Sequence, residues 1–172
     1  VSAYQSHLFN LWLSRRIEIS KLCAALEPKE LAPVLNLDEQ ILKQMKKQPH
    51  PFKMLPGDLC MHYPYGAIFY AEDLEEEARL FSEKDRTPTG LLSGKKVKKS
   101  TDIAHTIEKE FETQTNEEGS RRYAYVFPED IESEYKEDKA WYELHFTLPK
   151  GSYATVLIEE LAKREIREEK IK

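Results

Sequence analysis

Long apolar stretches and cysteines are scarce in this 172-residue sequence. No apolar run comes near the roughly 20 residues that a helix needs to cross a bilayer, so we expect no membrane partner. The opening residues also lack the basic and apolar segments of a secretory signal. Only two cysteines, Cys23 and Cys60, are present, and they lie far apart in the chain. This favours reduced thiols and a cytoplasmic protein.

The motifs of common hydrolases and metal sites are missing as well. Residues 90–96 (GLLSGKK) have three residues between the glycines, where a phosphate-binding loop has four, and no Ser or Thr follows the first lysine. Cys60 and His62 lack a second pair of metal ligands at a useful spacing. No Gly-x-Ser-x-Gly elbow is present. We therefore predict no metal, no cofactor and no nucleotide hydrolysis.

The composition that remains is typical of a soluble globular protein, with 40% hydrophobic and 33% charged residues. The length suffices for one domain of usual size or for two small ones. The chain begins with Val1 rather than Met, and a helix start follows at once. We therefore expect a segment of a longer protein.

Positive charge is concentrated in one stretch of a chain whose net charge is −5. Residues 72–77 and 129–138 are acidic, whereas residues 86–99 contain no acid. The basic residues of that stretch are Arg86, Lys95, Lys96, Lys98 and Lys99. A basic strip on an acidic protein indicates a nucleic-acid contact confined to one face, although a solvated loop would have the same composition.

A second basic segment is mixed with aromatic residues. Arg121 and Arg122 precede Tyr123, Tyr125 and Phe127. Such a mixture is suited to holding phosphates and stacking bases. It is equally typical of a strand whose aromatics are buried and whose arginines extend along the surface.

Periodicity and capping signals predict an α+β fold, or an α/β fold with a small sheet. Predicted helices start at Ser2 with a capping box to Gln5, near Asn36, at Asp73, near residue 101 and near Tyr153. Predicted strands cover residues 59–63, 67–71 and 141–148. Pro28 and Pro33 are expected to interrupt helical structure. Residues 86–100 are predicted as a loop, and residues 129–138 as an acidic connection.

Five segments together resemble the TruD family of tRNA pseudouridine synthases. They are residues 2–10 (SAYQSHLFN), 55–58 (LPGD), 88–94 (PTGLLSG), the Arg121-Arg122 pair followed by Pro128, and 148–155 (LPKGSYAT). Each is weak by itself, but the five occur in the family's order and span nearly the whole chain.

The resemblance implies a fold, an activity and a partner. It implies that residues 1–126 form the insertion domain of this family, and that residues 127–172 form the last strand and helix of the catalytic core. The family converts a uridine in tRNA to pseudouridine without a cofactor, using an aspartate as nucleophile. The implied partner is therefore tRNA.

The family's nucleophile motif, Gly-x-Lys-Asp-x-x-Ala-x-Thr, is absent from this sequence. Lys84 and Asp85 imitate its centre, but the glycine is missing and Pro88 follows closely. A motif needs a matching context, so we do not expect Asp85 to be catalytic. The resemblance implies a missing N-terminal catalytic portion, and this chain alone is predicted to be inactive.

The resemblance assigns substrate contacts to the segment that precedes the last helix. Tyr153 stands where the family has an aromatic, usually Phe, against the target nucleoside. Lys150 and the amides of Gly151 and Ser152 are expected near a phosphate. The predicted RNA contacts elsewhere are Lys95, Lys96, Lys98, Lys99, Arg121 and Arg122.

Other interpretations remain open at this point. Tyr153 could pack on its own helix, as aromatics often do. The chain could be a non-catalytic RNA-binding module that uses the basic loop and the aromatics, or an interaction domain that docks its apolar first helix on a partner. Without a catalytic half, unpaired strand edges also favour self-association.

Overall fold

The first helix, α1, spans Ala3–Ala25 in the computed structural model, which describes residues 2–164. The predicted capping box is confirmed: the Gln5 amide donates to Ser2 Oγ at 3.1 Å, and the Ser2 amide donates to Gln5 Oε1 at 2.7 Å. One face of the helix is buried through Phe9, Trp12 and Ile19. Local signals therefore define both the start of α1 and its inward face.

Two short helices follow, α2 (Pro28–Leu35) and α3 (Glu39–Lys47). The helix predicted to start near Asn36 starts three residues later, as α3, because Asn36 is the left-handed C-cap of α2. Asp38 caps α3, and its Oδ1 accepts from the Gln40 amide at 2.7 Å. The expectation that prolines interrupt helical structure here was wrong for α2. Pro28 occupies its first position, where a missing N–H costs nothing, and Pro33 is tolerated inside.

A four-stranded antiparallel sheet forms the centre of the first part of the chain. Its strands are β1 (Leu59–His62), β2 (Ile68–Tyr70), β3 (Arg86–Leu92) and β4 (Ser120–Tyr123), in the order β2-β1-β3-β4. The hairpin β1–β2 was predicted. The prediction of a loop over residues 86–100 was wrong in its first half, because β3 is an inner strand that is buried from Thr87 to Leu92.

Two helices connect these strands. The helix α4 (Leu74–Ser82) is capped as predicted by Asp73, whose Oδ1 accepts from the amides of Glu75 and Glu76, each at 3.1 Å. The helix α5 (Asp102–Glu108) is shorter than predicted and continues as a 3₁₀ turn, Lys109–Phe111.

A second unit begins near residue 126, since the chain divides into Val1–Tyr125 and Val126–Lys172. It contains the hairpin β5 (Glu129–Lys136) and β6 (Trp141–Thr147), followed by the helix α6 (Ala154–Ala162). The strand and helix predicted near residues 141 and 153 are present, and the acidic connection forms β5 instead. The assignment of the two units to an insertion domain and a catalytic core stays a prediction.

The α+β class is confirmed by this mixture of helices with two antiparallel sheets. Within residues 2–164, no helix combines the length and apolarity that a membrane span requires.

Candidate nucleic-acid interface

The basic loop that follows β3 is fixed to the body of the first unit. The Lys95 amide donates to the Glu117 carbonyl at 2.9 Å, and the Gly119 amide donates to the Lys95 carbonyl at 3.1 Å. Gly94 is pressed against this segment, because a Cβ atom at Gly94 would lie 2.3 Å from the Gly119 nitrogen. The loop therefore presents its side chains from a fixed backbone.

All four predicted lysines of this loop are exposed, but they differ in their partners. Lys99 forms an ion pair with Glu112, and the Lys98 ammonium lies 5.2 Å from the centre of the Tyr70 ring. Within the described part of the chain, no carboxylate oxygen lies within 4.0 Å of Lys95 or Lys96 Nζ. These two lysines and Lys98, whose ammonium contacts the Tyr70 ring, are therefore available to an external anion.

Arg121 does not face solvent, and its predicted RNA contact is corrected here. Its Nη1 lies 2.7 Å from Glu108 Oε2, and the two side chains are only 1% and 2% exposed. Its Nη2 donates to the Thr89 carbonyl at 2.6 Å. Since the guanidinium is enclosed and paired, Arg121 stabilises the attachment of α5 to the sheet.

Arg122 lies on the opposite sheet face and packs against α1. Its guanidinium carbon is 5.1 Å from the centre of the Phe9 ring, and Nη2 donates to Ser6 Oγ at 3.3 Å. This is the packing alternative noted for the Arg121-Arg122 pair, and an RNA contact by Arg122 stays a prediction.

The turn before α6 carries the predicted substrate contacts in the second unit. Gly151 has a φ of +91°, a conformation that favours glycine, and nothing lies within 4 Å of the position of a Cβ atom there. Tyr153 is the N-cap residue of α6 and is 55% exposed, and Lys150 is also exposed. The Ser152 amide already donates to the Pro149 carbonyl at 3.1 Å, so its expected role as a free phosphate donor needs that bond to break.

Asp85 sits between α4 and β3 and is ion-paired. Its Oδ2 accepts from Arg86 Nε at 3.0 Å and from Arg86 Nη2 at 2.8 Å. These hydrogen bonds lower the pKa of the Asp85 carboxyl below its ordinary value. The carboxylate is half-exposed and is held by Arg86, whose own side chain is 14% exposed; structural ion pairs of this kind also shift pKa values.

The motif residues of the first unit meet in one packing cluster. Asp58 is buried and accepts from Arg16 Nη1 at 2.7 Å and from Arg16 Nη2 at 2.8 Å. A Cβ atom at Gly90 would lie 2.3 Å from the Trp12 ring, so only glycine fits beneath α1. Gln5 Nε2 donates to the Ser93 carbonyl at 2.6 Å. These contacts join α1 to the start of β1 and to β3.

Sequence reasoning missed Arg16 as a partner of this cluster. Because arginine is charged, it was not assigned to the buried face of α1, where it is 1% exposed. The spacing from Phe9, Trp12 and Ile19 would have placed it near that face.

Comparisons with known proteins agree with these motifs. The family model described as tRNA pseudouridine synthase D (TruD) matches residues 1–161. Proteins named tRNA pseudouridine synthase D from Sulfurimonas denitrificans and Wolinella succinogenes are 55% and 57% identical over 166 and 171 residues. The matches cover 96% and 97% of this chain but 46% and 47% of those proteins. The chain thus spans about half the length of these relatives.

A solved structure supports the fold. The putative tRNA pseudouridine synthase D from Methanosarcina mazei superposes with a TM-score of 0.58 at 22% identity, covering 94% of this chain and 37% of that one. Because the family model matches nearly the whole sequence, the chain belongs to the tRNA pseudouridine synthase D (TruD) family.

Proposed function

We propose that this chain is part of an enzyme that converts a specific uridine in tRNA to pseudouridine. The observation that carries the proposal is the family match over residues 1–161. The reaction needs no cofactor. An aspartate of the enzyme acts as the nucleophile on the uridine, the glycosidic bond breaks, and the released uracil rotates and is reattached to the ribose through a carbon atom. The target base must leave its stack to reach the nucleophile.

In this proposal the chain contributes substrate contacts and RNA affinity, and the nucleophile lies outside it. The sequence has no Gly-x-Lys-Asp-x-x-Ala-x-Thr motif, and the relatives are about twice as long as the chain. The N-terminal catalytic portion of the same protein is the proposed partner, and the chain by itself is inactive. A cytoplasmic location remains part of the proposal.

Tyr153 is the proposed stacking residue for the flipped nucleoside. Its ring is more exposed than covered, and it stands at the tip of a turn, where it gains little from burial. Lys150, on the same turn, would meet a neighbouring phosphate. Gly151 gives the turn its left-handed backbone, which positions both residues.

A chimera tests the catalytic part of the proposal. The matching segment of the Wolinella succinogenes relative is replaced by this chain, and tritium release is measured from tRNA labelled at uridine C5. We expect turnover, a loss of about tenfold or more in kcat/KM for Tyr153→Ala, and near-normal activity for Tyr153→Phe, which keeps the stacking face. A folded chimera that binds tRNA without turnover would contradict the catalytic proposal. Equal activity of Tyr153→Ala would remove Tyr153 from the site.

The basic loop is the proposed phosphate-binding segment. Replacing Lys95, Lys96, Lys98 and Lys99 by Ala should weaken tRNA binding by the chain and flatten its salt dependence, by about 0.7–0.9 in log-log slope for each phosphate that is no longer neutralised. The matched control replaces four exposed lysines of α1–α3, Lys21, Lys29, Lys43 and Lys47. Equal affinity and slope for the two variants would refute the role of the loop.

The second candidate function is a non-catalytic RNA-binding module. The exposed basic loop on a well-packed unit favours it, because RNA binding would then need no second half. This candidate predicts tRNA binding by the chain together with an inactive chimera.

We also propose that the isolated chain self-associates. The hairpin of the second unit has two outer edges, on β5 and β6, and neither strand pairs with a further strand within the described residues. Unpaired edges promote pairing between copies. Sedimentation velocity should show concentration-dependent dimers, and a monomer at all concentrations would contradict this.

A further inference from the structure

The strand register divides the sheet of the first unit into two different faces. Directly paired residues of antiparallel strands share a face. Ile68 pairs with Met61, Tyr70 with Leu59, and Tyr123 with Thr89. Because Met61 also pairs with Thr87, one face carries Ile68, Tyr70 and Tyr123 together.

The helices α1 and α4 cover the opposite face. Gly90 touches Trp12 of α1, and Arg86 lies 2.6 Å from Glu77 of α4. Gly90 and Arg86 are both one position out of phase with Thr87 and Thr89 along β3, so they point away from the tyrosine face. The helix α4 therefore packs on the other side of the sheet, although Glu72 and Glu77 line one surface cavity together with Tyr70 and Lys98.

We call Tyr63, Tyr65, Tyr70 and Tyr123 the tyrosine surface: Tyr70 and Tyr123 lie on the face that carries Ile68, and Tyr63 and Tyr65 belong to the adjoining β1–β2 turn. The centre of this face is buried, since Leu59, Thr87 and Thr89 are at most 1% exposed. The rings of Tyr63 and Tyr123 lie 5.6 Å apart, and the Tyr123 hydroxyl donates to the Pro64 carbonyl. Burial and the neighbouring hydroxyls raise the pKa of Tyr123. Tyr65 is 80% exposed at the β1–β2 turn. The surface thus combines two packed rings, Tyr63 and Tyr123, with one solvent-facing ring, Tyr65.

The tyrosine surface is continuous with the basic loop. The Tyr70 hydroxyl donates to the Lys99 carbonyl at 3.1 Å, and the Lys98 ammonium lies over the Tyr70 ring. Aromatic faces next to ammonium groups are the pairing that binds unpaired bases and their phosphates. Duplex RNA keeps its bases stacked and offers no ring face, so the complementary ligand is single-stranded.

We propose that the tyrosine surface binds a single-stranded segment of the RNA substrate, with a base on Tyr65 and a second on Tyr70, and the intervening phosphates on Lys98 and its neighbours. This inference rests on the proposed function, since it names the form of RNA that the first unit recognises. It assigns to the first unit a second group of substrate contacts, separate from Tyr153.

Fluorescence anisotropy with the full 172-residue chain tests the assignment. The probes are fluorescein-labelled tRNA and a labelled oligouridylate of about 12 nucleotides, which is within the span of known single-strand sites. Tyr65→Ala should weaken binding of both by about fivefold or more, with an unchanged salt slope, because stacking involves no counterion release. Tyr65→Phe should bind like the unchanged chain. Tyr142→Ala removes a tyrosine of similar exposure, 72%, from the second unit and serves as the matched control.

Each result separates this inference from the proposed function. If the four-lysine variant weakens binding while Tyr65→Ala matches Tyr142→Ala, the tyrosine surface is refuted and the proposed function stands. If Tyr65→Ala weakens oligouridylate binding and the chimera is inactive, the surface is supported and the catalytic proposal fails. If Tyr65→Ala changes only the sedimentation of the chain, the surface binds a second copy and the inference is overturned. Absence of RNA binding by the unchanged chain overturns the inference, whereas turnover by the chimera decides the proposed function independently.

Discussion

The two units of the chain bury their apolar side chains to very different degrees. In the first unit, Phe9 and Trp12 are at most 4% exposed, and Arg16 and Asp58 form an enclosed ion pair. In the second unit, the described residues of α6 include none that are buried, and Tyr142 is 72% exposed. The first unit thus has an enclosed core, whereas the described part of the second unit exposes large apolar side chains.

The family motifs differ between the units in the same way. In the first unit Gln5, Asp58 and Gly90 make buried contacts, so the motif residues there contribute to the packing of the fold. In the second unit Gly151 and Tyr153 are exposed and contribute little to packing. An exposed motif residue needs a reason other than stability, which is why Tyr153 is the stronger candidate for substrate contact.

The enclosed ion pair offers the most severe test of this difference between the units. Arg16→Ala leaves the Asp58 carboxylate buried without its partner and should lower the free energy of unfolding of the first unit by about 3–5 kcal/mol. Trp12 fluorescence during urea unfolding reports this unit when Trp141, the second tryptophan, is replaced by Phe. The control, Arg79→Ala, removes an exposed arginine with two glutamate partners and should change little. Equal losses of stability in the two variants would contradict the description of the first unit.

Glycine substitutions should give a smaller contrast. Gly90→Ala forces a methyl group into the Trp12 ring and should cost the first unit about 1–3 kcal/mol. Gly151→Ala meets no neighbouring atom and adds only backbone strain of roughly 1 kcal/mol, confined to the second unit. Trp12 fluorescence should therefore register Gly90→Ala alone, and a shift of the Trp12 transition by Gly151→Ala would show that the units are not independent.

The hairpin of the second unit should respond least to substitution. The rings of Tyr135 and Tyr142 form a cross-strand pair with centres 5.0 Å apart. Tyr142→Ala should destabilise the hairpin by about 0.2–1 kcal/mol. Amide hydrogen exchange in residues 129–147 measures this, and faster exchange in the first unit as well would argue against two separate units.

Local signals predicted the elements whose determinants are local. The capping signals at Ser2 and Asp73 predicted α1 and α4, and the alternation of β6 predicted that strand. The start of α3 was misplaced, because Asp38 rather than Asn36 caps it. The strand β3 was missed because Pro88 and Gly90 resemble turn residues, and Gly90 is required by a ring from α1 that is distant in sequence. β5 was missed because seven of its eight residues are exposed, so it has no apolar alternation.

The candidate site residues of the first unit were predicted to different extents. The loop lysines were recognised from charge alone, and their exposure agrees with that. Arg121 could not be distinguished by sequence from the exposed basic residues, because its buried partner Glu108 comes into contact with it only in the folded structure. The tyrosine surface depends on strand register across β1–β4, which no local pattern of residues reveals.

In the proposed function, this chain provides part of the substrate-binding surface of a tRNA-modifying site and lacks the nucleophile. The decisive experiment is tritium release from C5-labelled uridine in tRNA by the unaccompanied chain, beside the full-length Sulfurimonas denitrificans relative. We predict release by the relative and none by the chain. Release by the chain that disappears in Asp85→Asn would contradict the proposal and would identify Asp85 as the nucleophile.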